Sequence, residues 1–366
     1  MDSPNSARFR LASRGENPAA TADRGAAGKR QGNPVAEQRG TVSDRFHHHP
    51  VMGERIARLF EAVPPGVVVD ATVGGGGHAQ VILESNPMVA VVGLDQDPDA
   101  LAAAASALEA FGDRVTLRRA RFDTLVTVMS DLGISTLSGA LYDLGVSSPQ
   151  LDRPERGFSY RNDGPLDMRM DPSSDLSAAD IVNGYSEAEL ARVIEQFGDE
   201  RFARRIARAI VAARPIESTA ELASIVRDAI PAATRRRGGH PAKRTFQAIR
   251  IEVNRELEIL GASLDDAIDL LAPGGRCAVL AYHSGEDRIV KQRFRYAATG
   301  GCSCPPGLPC VCDAVQTVRL LKQGGWTPTD VEIAANPRAE SARLRAVEKI
   351  TPPPPPSPGA DRADRS

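Results

Sequence analysis

The segment VVVDATVGGGGH at residues 67–78 restricts the possible folds more than any other part of this chain. A run of β-branched apolar residues stops at Asp70, and four glycines follow before a helical pattern begins. This order predicts a buried strand, a tight loop and a helix N-terminus. Such a loop lets the backbone approach a nucleotide-like ligand, and the helix start offers unpaired amide donors. Because glycine loops also serve as plain turns, the segment alone does not establish a ligand site.

An apolar run that ends on an acid recurs along the chain. Further strands are predicted at residues 89–95, 115–123, 137–145 and 276–284, the last after a Pro-Gly-Gly turn at 273–275, and an Ala-rich helix at 98–110. Strands that alternate with helices form a parallel sheet covered on both faces. The sequence therefore predicts an α/β fold of the doubly wound, Rossmann-like type.

The stretch after residue 150 breaks this alternation. Apolar residues at helical spacing between Asp180 and Ile230 predict an inserted, mainly helical subdomain, which is the candidate for substrate recognition. Both ends of the chain contain few large apolar residues, and the C-terminal end also contains a proline run. This composition predicts disordered tails. The expected organisation is a tail at 1–45, the main domain at 46–150 and 246–350, the insertion at 151–245 and a Pro-rich tail at 351–366.

The composition limits the functional classes. A net charge of −2 argues against a protein that coats nucleic acid indiscriminately, so contacts with nucleic acid must come from a local patch. No run approaches about 18 apolar residues, and no secretory signal is evident, so we expect a cytoplasmic protein without a membrane partner. The sequence indicates no particular oligomeric state.

Four of the five cysteines form a C-x-C-x₅-C-x-C pattern at Cys302, Cys304, Cys310 and Cys312. Four thiolates suit tetrahedral zinc, but C-x-C is a less usual spacing than C-x₂-C. The pattern is consistent with a zinc site or with loop thiols that have no catalytic role.

A carboxylate at the end of the second predicted strand indicates the type of ligand. Asp95 follows Asp70 by 25 residues, a position from which a carboxylate can accept both ribose hydroxyls of a nucleotide. A dinucleotide would require G-x-G-x-x-G, whereas an acid beside the loop suits a sulfonium and an ammonium better than a diphosphate. The sequence therefore favours S-adenosylmethionine and a class I methyltransferase domain. Phe122 is a candidate to pack on the adenine or simply in the core, and Asp143 is placed at the ligand crevice.

Longer motifs then indicate a family. DLGVSSPQLD at 143–152 and ERGFSYRNDGPLDMRMD at 155–171 resemble the bacterial ribosomal RNA small subunit methyltransferase H family. The resemblance continues through HPAKRTFQAIRIEVNREL, AYHSGEDRIVKQRF and NPRAESARLR, at 240–257, 281–294 and 336–345. It implies S-adenosylmethionine-dependent N4-methylation of a cytidine in the decoding region of 16S ribosomal RNA, with this RNA in the small ribosomal subunit as the expected partner. The sequence does not distinguish naked RNA, the 30S particle and an assembly intermediate as the substrate.

The resemblance also implies individual residue roles. The expected cofactor-binding residues are Gly76, Gly77, His78, Asp95, Phe122, Asp143 and Gln150. The chain departs from the family at Gly285, where a leucine is usual, and at Glu340, where a basic residue is usual. Neither departure touches the cofactor motif.

Methylation of a cytosine amine needs acceptors for its two protons, because the nitrogen lone pair is delocalised into the ring. Asp143, Ser147 and Ser148 are the catalytic candidates, since they share a loop whose direction Pro149 restricts. His283 is expected either near this site or as an ordinary core histidine.

Two basic clusters are candidates to grip the RNA, because specific RNA readout uses bases that are splayed out of a helix. Arg201, Arg204, Arg205 and Arg208 fit a solvated helix face about as well as an RNA contact. The preferred RNA-binding cluster lies beside Phe246 and comprises Arg235, Arg236, Arg237, Lys243 and Arg244.

Two other functions are weighed against RNA methylation. A DNA amino-methyltransferase would carry an Asp/Asn-Pro-Pro-aromatic run, but Ser-Ser-Pro-Gln occupies residues 147–150. The intact cofactor motif argues against the other function, that of a catalytically silent RNA-binding or ribosome-assembly protein. The fold alone would not separate the three.

Overall fold

The computed structural model describes residues 50–235, 240–305, 311–312 and 314–351. The tail expected at 1–45, and all but the first residue of the tail expected at 351–366, lie outside these residues. Among the described residues, no helix combines the length and apolar character needed to cross a lipid bilayer.

Seven strands of the described chain form one sheet. They are β1 (Gly66–Asp70), β2 (Val89–Asp95), β3 (Val115–Arg119), β4 (Leu137–Asp143), β5 (Leu271–Ala281), β6 (Val318–Leu320) and β7 (Arg343–Lys349). The strand order is β3-β2-β1-β4-β5-β7-β6. The first five strands are mutually parallel, and β7 runs antiparallel to both β5 and β6.

The helices of the main domain precede β4 or follow the insertion. They are α1 (Gly53–Glu61), α2 (Gly77–Ser85), α3 (Pro98–Ala107), α4 (Leu125–Asp131), α12 (Glu256–Leu270), α13 (Ser284–Thr299) and α14 (Asp330–Ala335). The helices between β4 and α12 are α5 (Ser148–Asp152), α6 (Ala178–Gly184), α7 (Glu187–Gly198), α8 (Ala203–Ala213), α9 (Thr219–Ala229), α10 (Ala232–Arg235) and α11 (Lys243–Asn254).

Helices cover both faces of the sheet because successive strand residues point to opposite sides. Val69 and Val92 belong to the core that includes residues of α4, α12 and α13. Their neighbours Val68 and Val91 belong to the core that includes residues of α1 and α2. The predicted α/β, Rossmann-like fold is therefore confirmed.

The structure shifts several predicted boundaries. β3 ends at Arg119, and a 3₁₀ turn occupies Phe122–Thr124. The turn expected at 273–275 lies within β5, where the register with β4 shifts and Gly274 has a φ of 81°. The antiparallel strands β6 and β7 were not predicted.

The segment between β4 and β5 has a core of its own. The buried apolar residues of this core all lie within residues 158–253, and Ser177, Ser186 and Ser218 cap the helices α6, α7 and α9. The boundary expected between residues 245 and 246 falls inside α11. That helix packs in this core through Phe246, Ile249 and Val253.

Candidate active site

Parallel strands bring four polar residues to one edge of the sheet. Asp95, Asp70 and Asp143 end β2, β1 and β4, and Tyr282 directly follows β5. Because these strands are neighbours in the order β2-β1-β4-β5, the four residues lie along the crevice where open α/β sheets bind ligands.

The glycine loop has a conformation that larger residues would not readily adopt. Gly74 and Gly76 have φ values of 50° and 86°. A Cβ at Gly76 would lie 3.1 Å from Cγ of Leu108, so this glycine is also needed for close packing. Gly77 and His78 begin α2, which places the helix N-terminus directly behind the loop.

The Asp95 carboxylate is held by backbone donors. Oδ2 accepts from the Gly74 N–H at 2.9 Å, and Oδ1 accepts from the Asp97 N–H at 2.9 Å. Burial raises the pKa of Asp95, while these backbone hydrogen bonds act in the opposite direction. Each carboxylate oxygen can accept more than one hydrogen bond, so Asp95 retains acceptors for two ribose hydroxyls.

Asp70, His78 and Asp143 form a compact charged group under the loop. Burial raises the pKa of Asp70 to about 7, although His78 opposes this shift. Nε2 of His78 lies 3.3 Å from Oδ2 of Asp143. Burial lowers the pKa of His78, but Asp143 and Asp70 outweigh that effect, so its pKa lies above the ordinary value.

Three polar atoms in this group lack hydrogen-bond partners among the described residues. Asp70 is only 1% exposed, yet its Oδ2 accepts no hydrogen bond, and neither ring nitrogen of His78 has well-aligned hydrogen-bond geometry. Buried polar groups normally have partners, and an exception indicates a missing ligand or a functional role. An ammonium group would satisfy the free oxygen of Asp70.

Asp143 is oriented from two sides. Its backbone N–H donates to Oγ1 of Thr72 at 2.7 Å, and its Oδ1 accepts from the Tyr282 hydroxyl at 2.8 Å. Burial and the neighbouring Asp143 raise the pKa of Tyr282 well above its usual range, so the hydroxyl stays protonated and donates. Glu286 fixes Tyr282 in turn by accepting from its N–H at 2.7 Å.

The loop after β4 is fixed by a capping box. Ser147 is the N-cap of α5, its Oγ accepts from the Gln150 N–H at 3.4 Å, and Oε1 of Gln150 accepts from the Ser147 N–H at 3.0 Å. Ser148 begins α5, and its side chain lies outside the described part of the structure. Gln150 is buried and its Nε2 donates to Asp97 at 3.0 Å. Its expected role in cofactor binding therefore stays a prediction.

Phe122 lies half-buried in the 3₁₀ turn after β3. Its ring meets Tyr142 edge to face, with 5.8 Å between ring centroids. The adjacent Asp123 binds Arg121 through both carboxylate oxygens, at 2.8 and 2.6 Å. The adenine contact of Phe122 stays a prediction.

Several functional residues escaped the sequence-based prediction. Thr72 and Tyr282 orient Asp143, and Asp97 accepts from both Gln150 and Arg156, the latter at 2.8 Å. The position of Tyr282 directly after a strand was a usable signal. His283 is the N-cap of α13, with its Nε2 3.1 Å from Glu286, so it caps this helix as a nearly buried residue.

The structure describes part of the preferred basic cluster. Lys243 and Arg244 are exposed at the start of α11, Arg235 ends α10, and Arg236 and Arg237 lie outside the described residues. Beside them, Tyr160 stacks on His240 at 4.5 Å and meets Phe246 edge to face. In the other cluster, Arg208 lies 3.4 Å from Glu187, and Arg201 lies over the Phe202 ring.

Comparison with known proteins decides the family. The model of the MraW methylase family matches residues 45–350. Ribosomal RNA small subunit methyltransferase H of Heliobacterium modesticaldum is 51% identical over 311 residues, which cover 83% of this chain and 99% of that protein. The protein of the same name from Acidothermus cellulolyticus is 51% identical over 323 residues, covering 86% and 98%. The chain belongs to the MraW methylase family.

Solved structures with a similar fold include an rRNA methylase from Streptococcus thermophilus. It is 12% identical to this chain and has a TM-score of 0.38. The match covers 82% of this chain and 97% of the methylase. An S-adenosylmethionine-dependent O-methyltransferase from Thermotoga maritima is 9% identical and has a TM-score of 0.36. That match covers 84% of this chain and 67% of the O-methyltransferase.

This protein is therefore a methyltransferase that uses S-adenosylmethionine, as the sequence predicted. The site fits this cofactor. The unpartnered Oδ2 of buried Asp70 suits the ammonium, and Asp95 offers acceptors for the ribose.

We expect the affinity for S-adenosylmethionine to rise by about tenfold between pH 6 and pH 8. With a pKa of about 7, Asp70 is mostly protonated at the lower pH and mostly ionised at the higher one, and only the ionised form attracts an ammonium. Calorimetric titration at the two pH values measures the effect, and Asp70→Asn should flatten it. A wild-type affinity that is independent of pH would contradict this role of Asp70.

Proposed function

We propose that this protein methylates the exocyclic N4 of a cytidine in the decoding region of 16S ribosomal RNA, acting in the cytoplasm on the small ribosomal subunit. The observation that carries the proposal is the fixed Asp143 carboxylate at the end of β4, oriented by Thr72 and Tyr282. The names of the relatives support a small-subunit ribosomal RNA substrate.

Asp143 is suited to hold the amine of a cytosine. When bound, S-adenosylmethionine would supply a methyl group activated by its positively charged sulfur. The amine nitrogen would take the methyl carbon in line, as the sulfur keeps the electrons of the broken S–C bond and leaves as a thioether. Asp143 is 29% exposed, so a substrate can reach it, and its second oxygen faces His78. A carboxylate that accepts an amine proton orients the nitrogen and favours its tetrahedral form. Tyr282 and Thr72 keep this carboxylate in place while the substrate binds.

Ser147 and Ser148 are the further candidates to position the amine. The Ser147 Oγ accepts from Gln150, which leaves its own O–H to donate and a lone pair to accept. Pro149 follows within α5 and restricts the backbone of this loop. We propose that the two hydroxyls complete the set of acceptors around the amine.

The helical segment at 151–245, which includes the start of α11, is the proposed substrate-recognition subdomain. The exposed Lys243 and Arg244 offer phosphate contacts next to the aromatic group formed by Tyr160, His240 and Phe246. Specific RNA recognition combines phosphate contacts with stacking of splayed bases on aromatic side chains. These neighbours support the role proposed for Arg235, Arg236, Arg237, Lys243 and Arg244.

Replacing Arg235, Arg236 and Arg237 together by Gln should weaken RNA binding and reduce the slope of log affinity against log salt by about two to three. Each lost phosphate contact removes about one released counterion. Binding assays over a range of salt concentrations measure this slope, and cofactor affinity should stay unchanged. The matched control replaces the exposed Arg288, Lys291 and Arg295 of α13, which lie outside the helical segment, by Gln. An unchanged slope in the first variant would assign the cluster to solvated surface.

Mapping of methylated cytidines in ribosomal RNA, from cells with and without this protein, tests the proposed function directly. The proposal requires one N4-methylated cytidine of the 16S decoding region to disappear. Intact rRNA methylation together with a loss of methylated DNA would favour the DNA amino-methyltransferase. If no methyl group is lost but subunit assembly is defective, the result would favour the catalytically silent assembly protein.

A further inference from the structure

The cysteine pattern lies in the long connection between α13 and β6. The connection leaves α13 through Gly300 and Gly301, whose φ values of 61° and 73° turn the chain back on the helix. Its base is closed where the Thr317 N–H donates to the Ala297 carbonyl at 3.0 Å. The cysteines are therefore carried on a loop that is anchored at both ends.

Within this loop, three described sulfur atoms converge. The Sγ atoms of Cys302, Cys304 and Cys312 all lie within 4.8 Å of one another. In a tetrahedral zinc site with Zn–S bonds of about 2.3 Å, neighbouring sulfurs are about 3.8 Å apart. A contraction of about 1 Å or less would therefore place the three thiolates around one ion. Cys310 lies outside the described residues.

Hydrophobic burial does not explain this convergence. None of the described residues from 301 to 317 is fully buried, so the loop has little apolar packing to fix its conformation. A disulfide would pair two sulfurs at about 2.05 Å, whereas three mutually close sulfurs form a set of ligands. Soft thiolate donors select zinc over hard cations such as magnesium.

We propose that Cys302, Cys304 and Cys312 bind a zinc ion that fastens the loop between α13 and β6. The ion has a structural role, because α13 spans 16 residues, or about 24 Å, between Tyr282 at the active site and this loop. Zinc binding displaces the thiol protons, which pass to solvent, and no electron transfer is involved. The partly exposed cysteines leave the ion accessible to solution.

Elemental analysis tests the proposal. Full-length protein purified under reducing conditions with equimolar zinc, then passed through gel filtration without chelator, should retain about one zinc ion per chain. Single Ser substitutions at Cys302, Cys304 and Cys312 should each lose the ion to a competing chelator. Replacement of zinc by Co²⁺ should give the intense visible absorption of a thiolate-bound tetrahedral ion. The matched control is Cys277→Ala, which removes the buried thiol of β5 and should retain zinc.

Cofactor affinity and circular dichroism show whether each variant remains folded. Reduced, folded wild-type protein that holds no zinc or Co²⁺ would overturn the proposal. It would also be overturned if mass spectrometry found a disulfide among these cysteines in place of metal, or if all three Ser variants retained zinc as tightly as wild type. None of these readouts depends on the RNA substrate, so the test is independent of the proposed function.

Discussion

Asp143→Asn is expected to slow methyl transfer to small-subunit particles by about a hundredfold or more. The amide dilutes the negative charge, and its NH₂ group adds donors that oppose the protons of the substrate amine. Positioning and electrostatic effects of this kind are each worth several kcal/mol of activation free energy. The substitution also disturbs the contacts of Asp143 with Tyr282 and His78. Single-turnover assays at saturating S-adenosylmethionine measure transfer without the effect of weaker cofactor binding.

A control and a second variant sharpen this test. Asp152→Asn changes an exposed acid on α5 that pairs with Arg338, and it should leave the rate unchanged. Tyr282→Phe removes the hydroxyl that orients Asp143 and should reduce the rate by a smaller factor. Wild-type turnover by Asp143→Asn would show that this carboxylate neither aligns the amine nor accepts its proton, which would leave that task to the two serines.

Asp95→Ala should weaken S-adenosylmethionine binding by at least about a hundredfold. Each hydrogen bond from a ribose hydroxyl to a carboxylate contributes about 1.5–3 kcal/mol, and two are removed. The substitution also leaves the backbone N–H groups of Gly74 and Asp97 without their acceptor, which loosens the glycine loop. Calorimetric titration gives the affinity, and thermal unfolding shows whether the variant is folded. Asp131→Ala, at the exposed end of α4, serves as the control. Unchanged affinity in a folded Asp95→Ala would refute the ribose assignment.

The sequence predicted the five parallel strands from their apolar runs, and three of these strands end on an acid. Asp70, Asp95 and Asp143 all stand where β1, β2 and β4 end. Strands β6 and β7 escaped prediction because they pair antiparallel at the end of the chain, and β6 is only three residues long. Their place beside β5 is set by tertiary packing rather than by local pattern.

Contacts of the candidate site could be predicted where both residues belong to one sequence motif. Contacts between residues that are far apart in the sequence were missed. The glycine loop and Asp95 are recognisable from their spacing. Tyr282 reaches Asp143 only because β5 lies next to β4, although 139 positions separate the two residues. The cofactor contact of Gln150 stays a prediction. Its hydrogen bond to Asp97 was not predicted, because nothing in the sequence distinguished Asp97 from its neighbours.

The insertion of a helical core between β4 and β5 has a consequence for how the chain folds. The sheet is continuous only when Asp143, where β4 ends, lies beside Leu280 of β5, so a long loop must close before the centre of the sheet forms. Closing a flexible loop of this length costs about 4 kcal/mol of chain entropy. Early folding of the helices at 158–253 around their own core shortens the effective loop. We therefore expect a substitution that weakens this core, such as Ile194→Ala, to slow refolding of the whole protein, although Ile194 lies outside the sheet.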